Sequence, residues 1–255
     1  MNTLVVIPTY NERDNVLSIA ARVRASVPEA HLLIVDDNSP DGTGHLADGL
    51  ALDDRSVHTL HRAGKEGLGA AYRAGFRWAL EHSFDVIVEM DADGSHRPEQ
   101  LPRLLGALER ADVAVGSRWV PGGEVVGWPF RRELLSRAGS LYARSALGLG
   151  QRDVTGGYRA YRASALLDAE FETVESQGYS FQIEMLWRCV DAGLKVKEVP
   201  ITFAERERGV SKMSGRIVLE AMSRVTFWAL TPLSPRRGRA DARLAPLAKG
   251  TGSAR

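Results

Sequence analysis

From Thr3 to Gly116 the chain alternates short apolar runs, rich in β-branched residues, with stretches of helical periodicity, and the runs break off into polar or acidic turns. This alternation permits few architectures. Continuous apolar runs of that length read as strands covered on both faces, and the helices between them as crossovers of a parallel sheet. Strands are expected at Thr3–Ile7, His31–Val35, Val57–Leu60, Phe84–Glu89 and Val113–Val115. Helices are expected at Asn11–Val27, Thr43–Leu52, Leu68–Glu81 and Pro98–Glu109, the last with proline in its first turn. Asn11 or Asp14 offers a cap for the first helix. The fold class is therefore α/β, a mostly parallel central sheet with helices on both faces. Crossovers of one hand gather ligands at the strands' carboxyl ends. The polar clusters fall there: Tyr10-Asn-Glu12, Asp36-Asp37, Asp91-Ala-Asp93 and Ser117-Arg118.

The second half is less regular. Pro121-Gly-Gly123 and Trp128-Pro129 mark a long loop, followed by a helix from about Arg132 to Leu147. Thr155-Gly-Gly-Tyr-Arg159 reads as a turn, Phe181–Ala192 as a helix, and Val196–Phe203, broken by Pro200, as an edge strand. Glu205–Ser214 is a charged loop. Arg216–Leu230 is an amphipathic helix with Ile217, Ala221, Val225 and Trp228 on one side. Residues 1–230 are thus expected to form one domain, and 231–255 a disordered basic tail containing Arg236, Arg237, Arg239 and Arg243. Lys+Arg (33) and Asp+Glu (32) nearly cancel, so no global charge points to nucleic acid. The single cysteine, Cys189, excludes an intrachain disulfide framework and suits a reducing cytosol. No basic-then-apolar leader is seen, and no apolar run reaches the ~18 residues that a spanning helix needs.

Asp91-Ala-Asp93-Gly94 follows the apolar run Val86–Met90. Side chains two apart on an extended segment face the same way, so both carboxylates can hold one Mg²⁺ or Mn²⁺ shared with substrate phosphates. A solvated Asx turn is the plainer reading. The first turn, Pro8-Thr-Tyr-Asn-Glu12, lacks the Gly-x-Gly-x-x-Gly of a dinucleotide site, and no Walker sequence occurs, which disfavours a dehydrogenase. Tyr10 can lie against a base, while Glu12 and Asp37 can accept hydrogen bonds from ribose or base. Alternatively, Glu12 is a helix first-turn charge and Asp36-Asp37 a turn-forming pair.

VVIPTYNE (Val5–Glu12), IVDDNSPDGT (Ile34–Thr43), DADGSH (Asp91–His96), GSR (Gly116–Arg118), TGGYRAYR (Thr155–Arg162) and ERERGVSKMS (Glu205–Ser214) occur in one order. Together they resemble the dolichol-phosphate (polyprenol-monophosphate) mannose synthases, inverting enzymes of the nucleotide-diphosphosugar-transferase, glycosyltransferase A-type fold. The resemblance spans roughly residues 3–230 and is to the single-domain form without transmembrane helices. It implies that Pro8, Tyr10, Glu12, Val35 and Asp37 bind the guanosine portion of GDP-mannose. It also implies that Asp91, Ala92 and Asp93 bind the diphosphate, with Asp91 and Asp93 holding the metal. Ser95 stands where some relatives carry a glutamine ligand and is a poorer one. Arg118 matches a residue near sugar and phosphates, Arg132 and Ser136 match acceptor-phosphate contacts, and Arg206 and Lys212 match basic residues closing over the diphosphate. Glu184 is the candidate for a catalytic carboxylate, with helix packing its alternative; His96 is expected to support the metal turn.

A polyprenyl or dolichyl phosphate acceptor lives in a membrane. The resemblance therefore implies a peripheral enzyme on the cytoplasmic face, anchored by Arg216–Leu230 and the basic tail or by a membrane protein. Two other readings remain beside it: glucosyl transfer from UDP-glucose to the same lipid, and a non-catalytic nucleotide-binding scaffold.

Overall fold

The computed structural model describes residues 1–205 and 215–231, with 215–219 described by backbone alone. In chain order the elements are β1 (Thr3–Thr9), α1 (Val16–Ser26), β2 (His31–Asp36), α2 (Thr43–Asp53), β3 (Val57–His61), α3 (Leu68–Glu81) and β4 (Val86–Glu89). A 3₁₀ turn (Pro98–Gln100) leads into α4 (Leu101–Ala107), followed by β5 (Val113–Ser117), β6 (Glu124–Val126), α5 (Phe130–Leu147), β7 (Arg159–Arg162) and α6 (Ala163–Asp168). The described chain continues through α7 (Gly178–Asp191), β8 (Val196–Pro200), β9 (Thr202–Ala204) and α8 (Gly215–Leu230).

The main sheet runs β3-β2-β1-β4-β7-β5-β8. Its members are parallel except β7, which pairs antiparallel with both β4 and β5. The sequence signals for β7 were turn residues, because four residues reading Arg-Ala-Tyr-Arg carry no apolar run. The stretch Val196–Phe203 is two strands rather than one. β8 is an edge strand of the main sheet, where Pro200 costs no ladder bond, and after Ile201 β9 pairs with β6 in a small second sheet.

Alternation along β1 sends Leu4 and Val6 into one core with Val35, Tyr72, Phe76 and Phe181, and Val5 and Ile7 into the other with Ile34, Val88, Leu101 and Leu104. Gly75 lets α3 lie close on β1, since a Cβ there would overlap Val6 Cγ1. α1 starts later than its periodicity suggests. Asn11 has φ +59° and cannot be helical, and the Glu12 carbonyl instead accepts from the amides of Asn15 and Val16. Neither Asn11 nor Asp14 is the cap: Asn15 occupies that position without a side-chain capping bond. α7 is buried from Ser180 to Cys189, and its Trp187 stacks on Trp228 of α8 at 5.8 Å. α8 also packs on α5. Among the described residues no helix is long and apolar enough to cross a membrane.

Candidate active site

β4 ends at Glu89, so Asp91 and Asp93 stand not on a strand but in the turn beyond it. Gly94, at φ +77°, folds this turn back. Asp93 is buried and accepts from the Ser95 amide (3.0 Å) and hydroxyl (2.6 Å). Ser95 thus helps to shape Asp93, the poorer ligand position being used here for a hydrogen bond to that carboxylate. The Asp91 amide donates to His96 Nδ1 at 3.0 Å, and the Tyr72 hydroxyl to Asp91 Oδ1 at 3.3 Å. His96 lies against Tyr158 (4.9 Å) and edge-on to Phe203 (5.4 Å), and burial pushes its pKa down, so it supports the turn as a neutral ring. Both aspartates border the same cleft. Two hard oxygen donors beside an open cleft, with no third acidic or histidine partner grouped with them among the described residues, fit a Mg²⁺- or Mn²⁺-class ion completed by phosphate and water.

The cleft beside them is polar. Pro8, Tyr10, Glu12, Asp37, Asp91, Ala92 and Asp93 line it together, as expected from sequence. Asp36 and Asp37 divide their labour. Asp36 accepts from Thr9 Oγ1 (2.9 Å) and Ser39 Oγ (2.6 Å), holding the turn, while Asp37 faces the cleft and pairs with Arg62 Nη1 at 2.5 Å. Burial raises the Asp37 pKa, opposed by Arg62. Glu12 precedes α1 altogether; its carboxylate accepts from Asn15 Nδ2 at 2.8 Å. Val35 differs from these: its side chain is fully buried in the core, so any contact to the nucleoside would come from its backbone. Lys65 was missed. Its Nζ sits 4.0 Å above the Tyr10 ring, on the loop between β3 and α3, where His61–Gly67 carries a lysine between glycines.

On the other side of Asp91 a second cavity brings Arg118 and Arg132 together with Thr155, Tyr179 and Trp128, and it adjoins an apolar cavity bordered by Ser136 and Arg118. Arg132 and Ser136 are one turn apart on α5 and share a face. Arg118 is 4% exposed and is no isolated cation. Its Nε and Nη2 each donate to Asp153 at 2.7 Å, and Nη2 also to Thr155 Oγ1 at 2.9 Å. Burial would raise the Asp153 carboxyl, but Arg118 more than offsets it and holds Asp153 below the usual range. Glu184 points elsewhere: it accepts from Arg188 Nε at 2.8 Å and from the Ser176 hydroxyl, and is spent on anchoring the loop before α7. Arg206 and Lys212 lie outside the described residues.

A mostly parallel, doubly covered sheet with a polar cleft and an acid pair at its carboxyl edge is the arrangement of the glycosyltransferase A-type fold. Residues 4–168 match glycosyl transferase family 2, and the chain belongs to that family. It is 57% identical over 230 residues to the undecaprenyl-phosphate mannosyltransferase of Micrococcus luteus, covering 90% of this chain and 95% of that one. It is 55% identical over 241 residues to the polyprenol monophosphomannose synthase of Mycolicibacterium smegmatis, covering 94% and 89%. Among solved structures, glucosyl-3-phosphoglycerate synthase of Mycobacterium tuberculosis, in complex with Mn²⁺, uridine diphosphate and glucosyl-3-phosphoglycerate, shares the fold. Its TM-score is 0.59 at 21% identity, covering 90% of this chain and 78% of that one.

Proposed function

We propose that this enzyme transfers mannose from GDP-mannose to a polyprenyl or dolichyl monophosphate at a membrane surface, with inversion, giving polyprenyl-phosphate-mannose and GDP. The observation carrying this reading is the succession of three adjoining spaces: a polar nucleotide cleft bordered by Asp91, a cavity that holds Arg118 and Arg132 on the other side of Asp91, and an apolar cavity bordered by Arg118 and Ser136. The relatives whose names specify mannose and a polyprenyl phosphate favour this donor over UDP-glucose.

The acceptor phosphate is already anionic near neutral pH and serves as its own nucleophile. It needs orientation and partial neutralisation rather than a base; the planar fork of Arg132 suits a phosphate, and Arg118, whose Nε and Nη2 are held by Asp153 and Thr155, has Nη1 left to offer beside it. Tyr10, Glu12 and Asp37 take the nucleoside, and Asp91 and Asp93 hold the metal. When bound, a divalent ion, Mg²⁺ or Mn²⁺, supplies positive charge to the departing diphosphate. The resemblance assigns Arg206 and Lys212 to that same charge.

Exposed apolar side chains support work at a lipid surface. α5 presents Phe130, Leu134 and Leu141 at one- and two-turn spacings, and the neighbouring α8 presents Phe227 and Leu230. Arg131 and Arg137 on α5 suit anionic headgroups. The face is cytoplasmic where GDP-mannose is available, and a membrane-anchoring protein is a compatible partner. Incubation with labelled GDP-mannose, polyprenyl phosphate and Mn²⁺ is expected to move label into the organic phase, and a chelator to abolish it. Labelling from UDP-glucose and none from GDP-mannose defeats the reading; Asp91→Asn, Asp93→Asn complementing as well as the parent favours a scaffold.

A further inference from the structure

Trp128 occupies the corner between β6 and α5, after Gly127 (φ +83°) and before the N-cap Pro129. Arg132 Cζ lies 4.1 Å from the centroid of the Trp128 ring, and Arg118 Cζ lies 5.5 Å from it and also within range of Trp119 (5.0 Å) and Phe203 (5.4 Å). Asp153 already offsets the charge of Arg118, so the π-face matters most for Arg132, whose ion pair with Glu205 is the longer one. A guanidinium over a ring face can still use its N–H groups on a phosphate; Arg118 spends Nε and Nη2 on Asp153 and Thr155, so Arg132 is the arginine whose fork is directed by the ring.

Two further observations fix the ring in place and say what is missing around it. Phe203 of β9 meets Trp128 edge-on at 5.4 Å (77°) and in turn meets His96, whose Nδ1 binds the Asp91 amide. The aromatic chain His96–Phe203–Trp128 therefore joins the metal turn to Arg132. Among the described residues, Trp128 Nε1 and Arg132 Nε are both buried without a hydrogen-bond partner, although such groups are nearly always paired. Arg132 reaches Glu205 through Nη1 at 3.4 Å. Trp128 borders both the cavity next to Asp91 and the apolar one beyond Arg118, so it stands where a lipid phosphate would cross between them.

We infer that Trp128 is a positioning residue for the acceptor: its ring sets where Arg132 meets the lipid phosphate, beside the Asp153-held Arg118 and in register with the metal turn. This rests on the proposed function, since it takes the acceptor to be a lipid monophosphate. An aliphatic side chain can fill the corner but offers no π-face to a cation.

The full chain, Trp128→Leu and Trp128→Phe are compared in detergent with GDP-mannose, Mn²⁺ and polyprenyl phosphate, alongside calorimetric binding of GDP with Mn²⁺. Loss of two cation–π contacts is expected to raise the acceptor KM of Trp128→Leu about tenfold. GDP affinity should stay within about twofold, and Trp128→Phe should recover most of the loss. A purely structural role moves donor and acceptor constants together and is overturning. So is an unchanged acceptor KM in Trp128→Leu, or a Trp128→Phe no better than Trp128→Leu. If the parent binds GDP yet transfers nothing to the lipid, the proposed function fails and this inference falls with it. Transfer by the parent with an unmoved acceptor KM in Trp128→Leu removes this inference alone.

Discussion

Replacing Asp153 by alanine isolates a buried charge and tests the central electrostatic arrangement of the acceptor side. Asp153 is fully buried and accepts from Arg118 Nε and Nη2 (2.7 Å each), the Arg118 amide (2.9 Å) and the Gly156 amide (3.1 Å). Its removal leaves Arg118, 4% exposed, without a counter-ion. Breaking a buried pair in this way costs about 3–5 kcal/mol, a large share of the roughly 5–15 kcal/mol that holds a domain folded. At about 2–4 °C per kcal/mol for a domain near this size, the melting temperature should fall by about 6–20 °C. The assay is urea and thermal unfolding followed by circular dichroism, with Arg118→Met and the double variant completing a cycle. The double variant removes the stranded charge along with its partner, so it should be less destabilised than the sum of the singles by about 2 kcal/mol or more. The difference should also change little with salt, because the pair is shielded from mobile ions. A loss under about 1 kcal/mol in Asp153→Ala, or strict additivity in the cycle, would refute the reasoning. Either result means that Arg118 is hydrated or neutralised by something other than Asp153.

Asp91→Asn is expected to lower turnover at least about a hundredfold and to weaken Mn²⁺-dependent GDP binding while leaving the melting temperature nearly unchanged; calorimetry with and without chelator checks it. Glu89, two residues before Asp91, is fully buried, and burial raises its carboxyl from 4.5 to about 8, opposed by Arg159. The folded state therefore holds a proton that the unfolded state releases. This contribution to stability is complete below about pH 4.5 and is lost as pH rises through about 8. Melting temperatures across that window should decline in the parent and flatten in Glu89→Gln. His58, packed against His31 (5.3 Å) and Trp78 (4.9 Å), shifts the opposite way: burial, then His31, lowers its pKa. Stability should therefore drop as pH falls below the ordinary histidine value of 6.5, and His58→Gln should blunt that acid limb. On the α5 face, Phe130→Asp with Leu134→Asp should reduce sedimentation with anionic vesicles at least about tenfold, since each buried apolar side chain contributes about 1.5–3 kcal/mol. GDP affinity serves as the control for folding.

The sequence by itself determined the alternating α/β architecture and put its polar clusters at one edge of the sheet. It could do so because burial on both faces leaves a local record in the apolar runs, and chain direction in a parallel sheet brings every run's C-terminal turn to one side. Tyr10, Glu12, Asp37, Asp91 and Asp93 were legible for that reason, and Pro8 through the resemblance alone. Tertiary structure alone decided which distant groups met. It inserted β7 antiparallel between β4 and β5, gave Arg118 its partner Asp153 thirty-five positions away, and turned Ser95 inward onto Asp93. It also withdrew Val35 into the core, laid Lys65 over Tyr10, and set Trp128 between two arginines. Such pairings depend on how helices and short strands pack in three dimensions, and side chains that find their partners across the fold carry no periodic signal along the chain.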